Sequence, residues 1–164
     1  MNFQKFLITL GFLLLLGSFG VTFFEKQQYV DVTHAQAVTD ATNESYTKII
    51  VPKISVDISI QPGGVVNGRW ILTNDYAHYF TQNGNTIVYA HKRKGLFVDL
   101  KKLSEGDTII LVNNKGEQKT FTVYSLEIVK STESEKLQTN EPNTVTLFTC
   151  DGFFDENRII VKAK

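Results

Sequence analysis

Thr144-Val145-Thr146-Leu147-Phe148-Thr149-Cys150 is an apolar, β-branched run, and eight residues beyond its end Arg158 opens another, Arg158-Ile159-Ile160-Val161. Runs this short, rich in Val, Ile, Thr and Phe and separated by turn residues, read as strands. The first of them ends on the only cysteine in the chain. A solitary thiol cannot be half of an internal disulfide, so it is either an inert side chain or a chemical tool.

The same texture recurs upstream. Ile49-Ile50-Val51 and the alternating stretch Ile54 to Ile60 read as strands, and Pro52 between them marks an edge or a bend. Gly63-Gly64 and Asn67-Gly68 are turn signals, while Trp70 to Tyr79 reads as either a short helix or an irregular loop. Asn83-Gly84 then introduces the strand Thr86 to Ala90, which ends at His91. A basic loop, Lys92-Arg93-Lys94-Gly95, leads to Leu96-Phe97-Val98-Asp99-Leu100. Beyond the Ser104 to Asp107 turn come the strand Thr108 to Val112, the hairpin turn Asn113 to Gly116, and a long alternating strand from Gln118 to Val129. Residues 131–140 are polar, with one helical turn expected around Glu133 to Leu137. Seven or eight short strands without a sustained helical period predict a single all-β barrel or sandwich.

Composition adds a boundary condition at the other end of the chain. The 164 residues suffice for one compact domain plus accessories. Seventeen Lys and Arg balance seventeen Asp and Glu, with no basic stripe for nucleic acid and no acidic tail. From Phe6 to Phe24 there is no charge, and nineteen helical residues span about 29 Å, the thickness of a hydrocarbon core. Residues 1–24 are therefore expected to be a membrane anchor. A cleaved signal peptide is the competing reading, but Ala35-Gln36-Ala37 lies well beyond the apolar run. Lys5 ahead of the span favours a cytoplasmic N-terminus and an outward-facing body. Residues 25–44, dominated by Gln, Thr and Asn, read as a flexible linker, and residues 45–164 as the folded domain.

A free thiol is only about 3% ionised at pH 7, so nucleophilic use requires a nearby cation or base. The histidines on offer are His34 in the linker, His78 among Tyr76, Tyr79 and Phe80, and His91 at a strand end. A strand end presents its side chain at a rim, which favours His91 over His78. Composition alone leaves Cys150 equally readable as core filler.

Thr146-Leu147-Phe148-Thr149-Cys150 resembles the T-L-x-T-C signature of the sortases, membrane-anchored cysteine transpeptidases of bacterial surfaces. The resemblance extends over most of residues 46–164. Ile50-Val51-Pro52-Lys53-Ile54 with Val56-Asp57 is similar to the family's opening strands. Asn85 to His91 is similar to the strand that delivers its catalytic histidine, Leu96 to Leu100 with Leu103 and Gly106-Asp107 to the segment after it, and Arg158 to Val161 to the last strand.

This resemblance implies an eight-stranded sortase-like β-barrel with Cys150, His91 and Arg158 as the catalytic set. It implies attack by Cys150 between Thr and Gly of an LPxTG-like sorting signal, a thioester, and transfer to an amine acceptor, a cell-wall precursor or a pilin lysine. Thr149 is implied to orient substrate or support the oxyanion site. Phe153 and Phe154 either line a pocket for the apolar residue of a sorting signal or tuck against the barrel as loop aromatics. No cofactor is implied; some members hold calcium, and Glu133, Glu135 and Glu141 are the acids available, although they read as solvated loop carboxylates. The expected setting is a single-pass membrane protein with an extracytoplasmic domain. Departures from the pattern are Ala90 where many members have glycine, and short loops after His91 and after Cys150. Two rivals stay open: a cysteine peptidase that releases its acyl group to water, and a non-catalytic surface β-module.

Overall fold

Pro52 sets the first bend of the chain. The strand β1 (Tyr46–Val51) stops where Pro52 has no N–H to offer, and a 3-10 turn over Pro52–Ile54 follows. Ser55, in the left-handed region at φ 53°, donates its N–H to the Pro52 carbonyl, and β2 (Val56–Pro62) returns antiparallel with Val51 opposite Val56. In this computed structural model residues 45–66, 69–139 and 141–164 are described; the expected anchor, the linker and His34 lie outside them. Among the described residues no helix is long and apolar enough to cross a membrane.

A short antiparallel pair follows, β3 (Val65–Val66) with β4 (Arg69–Trp70). The segment expected as a helix or loop then enters β5 (Ala77–Gln82), so His78 is a strand residue rather than part of an irregular stretch. Asn83 and Gly84 both take positive φ, the demand of a tight hairpin turn, and β6 (Asn85–Tyr89) runs back. The remaining strands are β7 (Thr108–Asn113), β8 (Gln118–Lys130), β9 (Thr144–Asp151) and β10 (Asn157–Ala163). The helical turn expected in the polar segment is a 3-10 turn over Ser134–Leu137.

Eight strands close a barrel in the order β1-β2-β5-β6-β9-β10-β8-β7, sealed by β7 against β1 with Ile49 opposite Leu111. Two neighbour pairs are parallel, β2 with β5 and β6 with β9; the others are antiparallel. Inside lie Ile49, Val51, Ile60, Val88, Phe97, Leu100, Ile109, Leu111, Leu147, Ile159 and Val161, all buried. Each such side chain contributes about 1.5–3 kcal/mol by leaving water.

β6 and β9 differ from the half-buried strands around them because both of their faces are covered. Val88, Val145 and Leu147 point into the barrel, whereas Ile87, Tyr89 and Phe148 belong to a second cluster on its outside with Leu137 and Ile160. Trp70, Leu72, Phe80 and Val129 pack over that cluster. Near-continuous apolar runs are what such doubly covered, parallel-paired strands require.

Candidate active site

Cys150 is the last residue but one of β9 and faces Arg158 of β10 directly in the antiparallel register. Side chains so placed have Cβ atoms about 4.5–5.5 Å apart. On the other side of β9 runs β6, whose last paired position is Tyr89 beside Phe148. Two residues further along stand Cys150, still within β9, and His91, just beyond the end of β6. Alternation puts Cys150 on the face of Phe148 and Arg158 on the face of Ile160, outside the barrel. Cys150 and Arg158 thus share one edge of the outer face on adjacent strands, and His91 follows the end of the neighbouring β6.

The floor beside them is aromatic. Tyr89 and Phe148 stack with centroids 5.2 Å apart, and Trp70 meets Tyr89 at 4.8 Å, Phe148 at 5.3 Å and Phe80 at 5.6 Å. The chain leaving β2 crosses this floor at Gly63, where a Cβ would come within 2.6 Å of both the His78 Cβ and the Tyr89 hydroxyl. Only glycine fits there. Gly64 N–H donates to the Tyr89 hydroxyl at 2.8 Å, and the hydroxyl donates back to the Gly64 carbonyl at 3.2 Å. Burial pushes the Tyr89 phenol up to about 12, against the pull of the Gly64 hydrogen bond. His78 is buried and stacked on Tyr89, with its Nε2 unpartnered.

Burial is also the largest influence on Cys150 and raises its thiol above the ordinary value. The positive charge of Arg158 pulls it back down, and Asp155 opposes that pull. Arg158 Nη1 donates to the backbone carbonyls of Asp155 at 2.6 Å and Asn157 at 2.8 Å. One guanidinium nitrogen therefore braces the β9–β10 loop, leaving Nη2 and Nε for another acceptor.

The other sequence candidates fall apart from this trio. Thr149 is 1% exposed on the inward face, and its hydroxyl donates to the Ala90 carbonyl at 2.8 Å. In this structure it ties β9 to the end of β6. Phe153 and Phe154 are 89% and 84% exposed and meet each other edge to face at 4.9 Å. They do not tuck against the barrel: a five-residue loop between paired strands is too short to fold their rings back onto it. Among the described residues no group of three or more His, Cys, Asp or Glu is placed to hold a metal ion. Glu133 accepts the Lys130 N–H at 2.9 Å, and Glu141 lies 3.5 Å from the Lys164 ammonium.

Sequence reasoning passed over two contributors. Lys92 and Asp151, the residues immediately after His91 and Cys150, form an ion pair across the mouth between β6 and β9. Asn85, at the start of β6, donates to the Leu137 carbonyl and shares hydrogen bonds with Thr144 and Thr146, holding the 134–137 turn against the outer cluster. The parallel register was the missing signal, since it pairs residues sixty positions apart.

The sortase-domain family model matches residues 49–164. Sortase C2 of Group B Streptococcus Pilus Island 1 superposes with a TM-score of 0.60 at 22% identity, over 76% of this chain and 75% of that one. Sortase C of Streptococcus pneumoniae gives 0.61 at 20% identity, over 77% and 70%. Sortase A from Corynebacterium diphtheriae gives 0.60 at 20% identity, over 73% of this chain and 59% of that one. No curated protein is similar enough to this chain to count as a match. The family match spans the whole barrel and contains Cys150, His91 and Arg158; the chain belongs to the sortase family of cysteine transpeptidases.

Proposed function

We propose that this protein cleaves an LPxTG-like sorting signal between Thr and Gly and transfers the acyl group to an amine, with Cys150 as nucleophile, His91 as proton carrier and Arg158 as oxyanion partner. The observation that carries the reading is the register: Arg158 stands opposite Cys150, and His91 lies two residues beyond the end of the neighbouring β6. In its thiolate form Cys150 Sγ attacks the threonyl carbonyl carbon, and the charge that develops on oxygen meets Arg158 Nη2 and Nε. The C–N bond breaks as His91 protonates the departing glycine amine, leaving a thioester. An incoming amine gives its proton to His91, attacks the thioester and releases the thiolate. A thiol raised by burial makes the reactive thiolate scarce, so orientation rather than a large ionised population has to supply the rate.

Thr149 serves this chemistry by fixing β9 to β6, and Phe153 with Phe154, at the rim beside Cys150, offers apolar surface to the signal. Anchorage by residues 1–24 would hold the domain outside the membrane, where exported proteins emerge. Both a cell-wall precursor and a pilin lysine stay in play as acceptor, since neighbours of this fold include pilus-related enzymes.

The test is cleavage of an LPxTG-type peptide panel by the purified full chain in detergent, with and without a glycine or lysine amine. The expected result is amine-dependent transfer that disappears in Cys150→Ala. Hydrolysis indifferent to the amine would instead mark a peptidase, and no turnover on any peptide would mark a non-catalytic module.

A further inference from the structure

The His91 ring and the Cys150 thiol share no hydrogen bond among the described residues, so their separation depends on what holds the ends of β6 and β9 together. The paired ladder runs out at Tyr89 and Phe148, and past Ala90 the first strand turns off into the basic loop. Two side-chain ties continue where the ladder stops. Thr149 Oγ1 holds the Ala90 carbonyl one residue before His91, and the Lys92 ammonium holds the Asp151 carboxylate one residue after. Each proposed catalytic residue is therefore bracketed, on both sides in sequence, by a bond to the other strand.

We propose that the Lys92–Asp151 ion pair is a positioning clamp that sets the distance between His91 and Cys150 in the transfer reaction. The idea rests on the reading of those two residues as catalytic. Both side chains are partly withdrawn from water, at 32% and 21% exposure, which makes the pair stronger than a freely solvated one. The hydrogen bond from Lys92 is the largest influence on Asp151 and holds its carboxyl below the usual range. That bond also occupies Asp151: its carboxylate is committed to lysine, not to the His91 imidazole. Arg158 lowers and Asp155 raises the Cys150 thiol through their charges. Lys92 and Asp151 carry opposite charges that offset each other, so breaking the clamp should misplace the two residues with little change to the thiol itself.

The experiment compares the full chain with Asp151→Asn, Lys92→Met and the swapped pair Lys92→Asp/Asp151→Lys. Expected for either single variant is a fall in transfer kcat of about tenfold, the loss of about 1.4 kcal/mol of barrier lowering, with KM within about twofold. Alkylation of Cys150 by iodoacetamide at pH 7 should stay within about twofold of the parent. The swapped pair should recover most of the lost rate. Unchanged kcat in the single variants, or alkylation that shifts in step with kcat, overturns the proposal. Amide exchange supplies a readout independent of turnover, because the Arg93 and Phe97 N–H groups both bond to the His91 carbonyl. Their protection should drop about tenfold in both single variants. If the parent transfers nothing, the catalytic reading fails by itself, and unchanged protection then overturns the clamp as well.

Discussion

The inside of the barrel and the outer face of β6, β9 and β10 are built from the same strands but from different chemistry. On these three strands the inward positions are mainly aliphatic, as in Val88, Leu147, Ile159 and Val161, with Thr149 polar among them. Outward positions one residue away carry aromatic rings, a buried hydrogen-bond network around Asn85, and finally Cys150 and Arg158. The interior can tolerate no gap because it is common to all eight strands. The outer face depends on separate covers, Gly64 with Trp70 and Leu72 on one side and the 134–137 turn on the other, each held by a few named contacts. Stability therefore lives mainly inside, and the shape of the site lives mainly outside.

The most damaging way to break this contrast is to empty an interior position. Ile159→Ala removes a fully buried side chain opposite Thr149, in the strand that also carries Arg158. A loss of about 3–4 kcal/mol is expected from the transfer and cavity costs together. Thermal unfolding should show it as one cooperative transition shifted to lower temperature, with the site lost only when the whole barrel goes.

Asn85→Ala attacks the outer face and should cost less, about 2 kcal/mol, because it strands buried groups without opening a large cavity. The orphans are the Leu137 carbonyl and the hydroxyls of Thr144 and Thr146, of which Thr144 keeps its bond to the Glu141 carbonyl. Limited proteolysis is the discriminating measurement. Cleavage within residues 131–139 should appear in this variant well below the temperature at which the barrel unfolds; simultaneous loss of both would show that the two faces are one unit.

How far each face could be read from sequence follows from the same contrast. Strand texture and turn residues locate most of the barrel strands, because a buried strand needs β-branched residues wherever it lies. The doubly covered β6 and β9 also show in sequence, as unbroken apolar runs. The outer cover does not. Trp70 sits in a two-residue strand too short to leave a period, and His78 was hidden by the aromatic residues around it. Cys150, Arg158 and His91 stand out in the sequence because each opens or closes an apolar run, and the motif carries the cysteine. Lys92, Asp151 and Asn85 do not, because their partners lie about fifty to sixty residues away and only the parallel pairing of β6 with β9 joins them.

The finest test of the contrast lies at the rim, where the half-buried thiol meets the charges of the β9–β10 loop. Burial raises the Cys150 thiol, so the folded chain keeps a proton that the unfolded chain releases at alkaline pH. The sign follows from linkage: this contribution to stability is fully present below about pH 8.5 and is lost as pH rises through the folded-state value. Asp155 adds to the rise through its charge, and it occupies a left-handed backbone position at φ 55° that asparagine adopts readily. Asp155→Asn should therefore keep the loop, including the Arg158 bond to the residue-155 carbonyl, while removing the charge. Alkylation of Cys150 at pH 7.5 should speed up by less than about threefold, the scale of one solvent-screened charge. Slower alkylation would mean that the loop has closed over the thiol, and that the rim is governed by shape rather than by field.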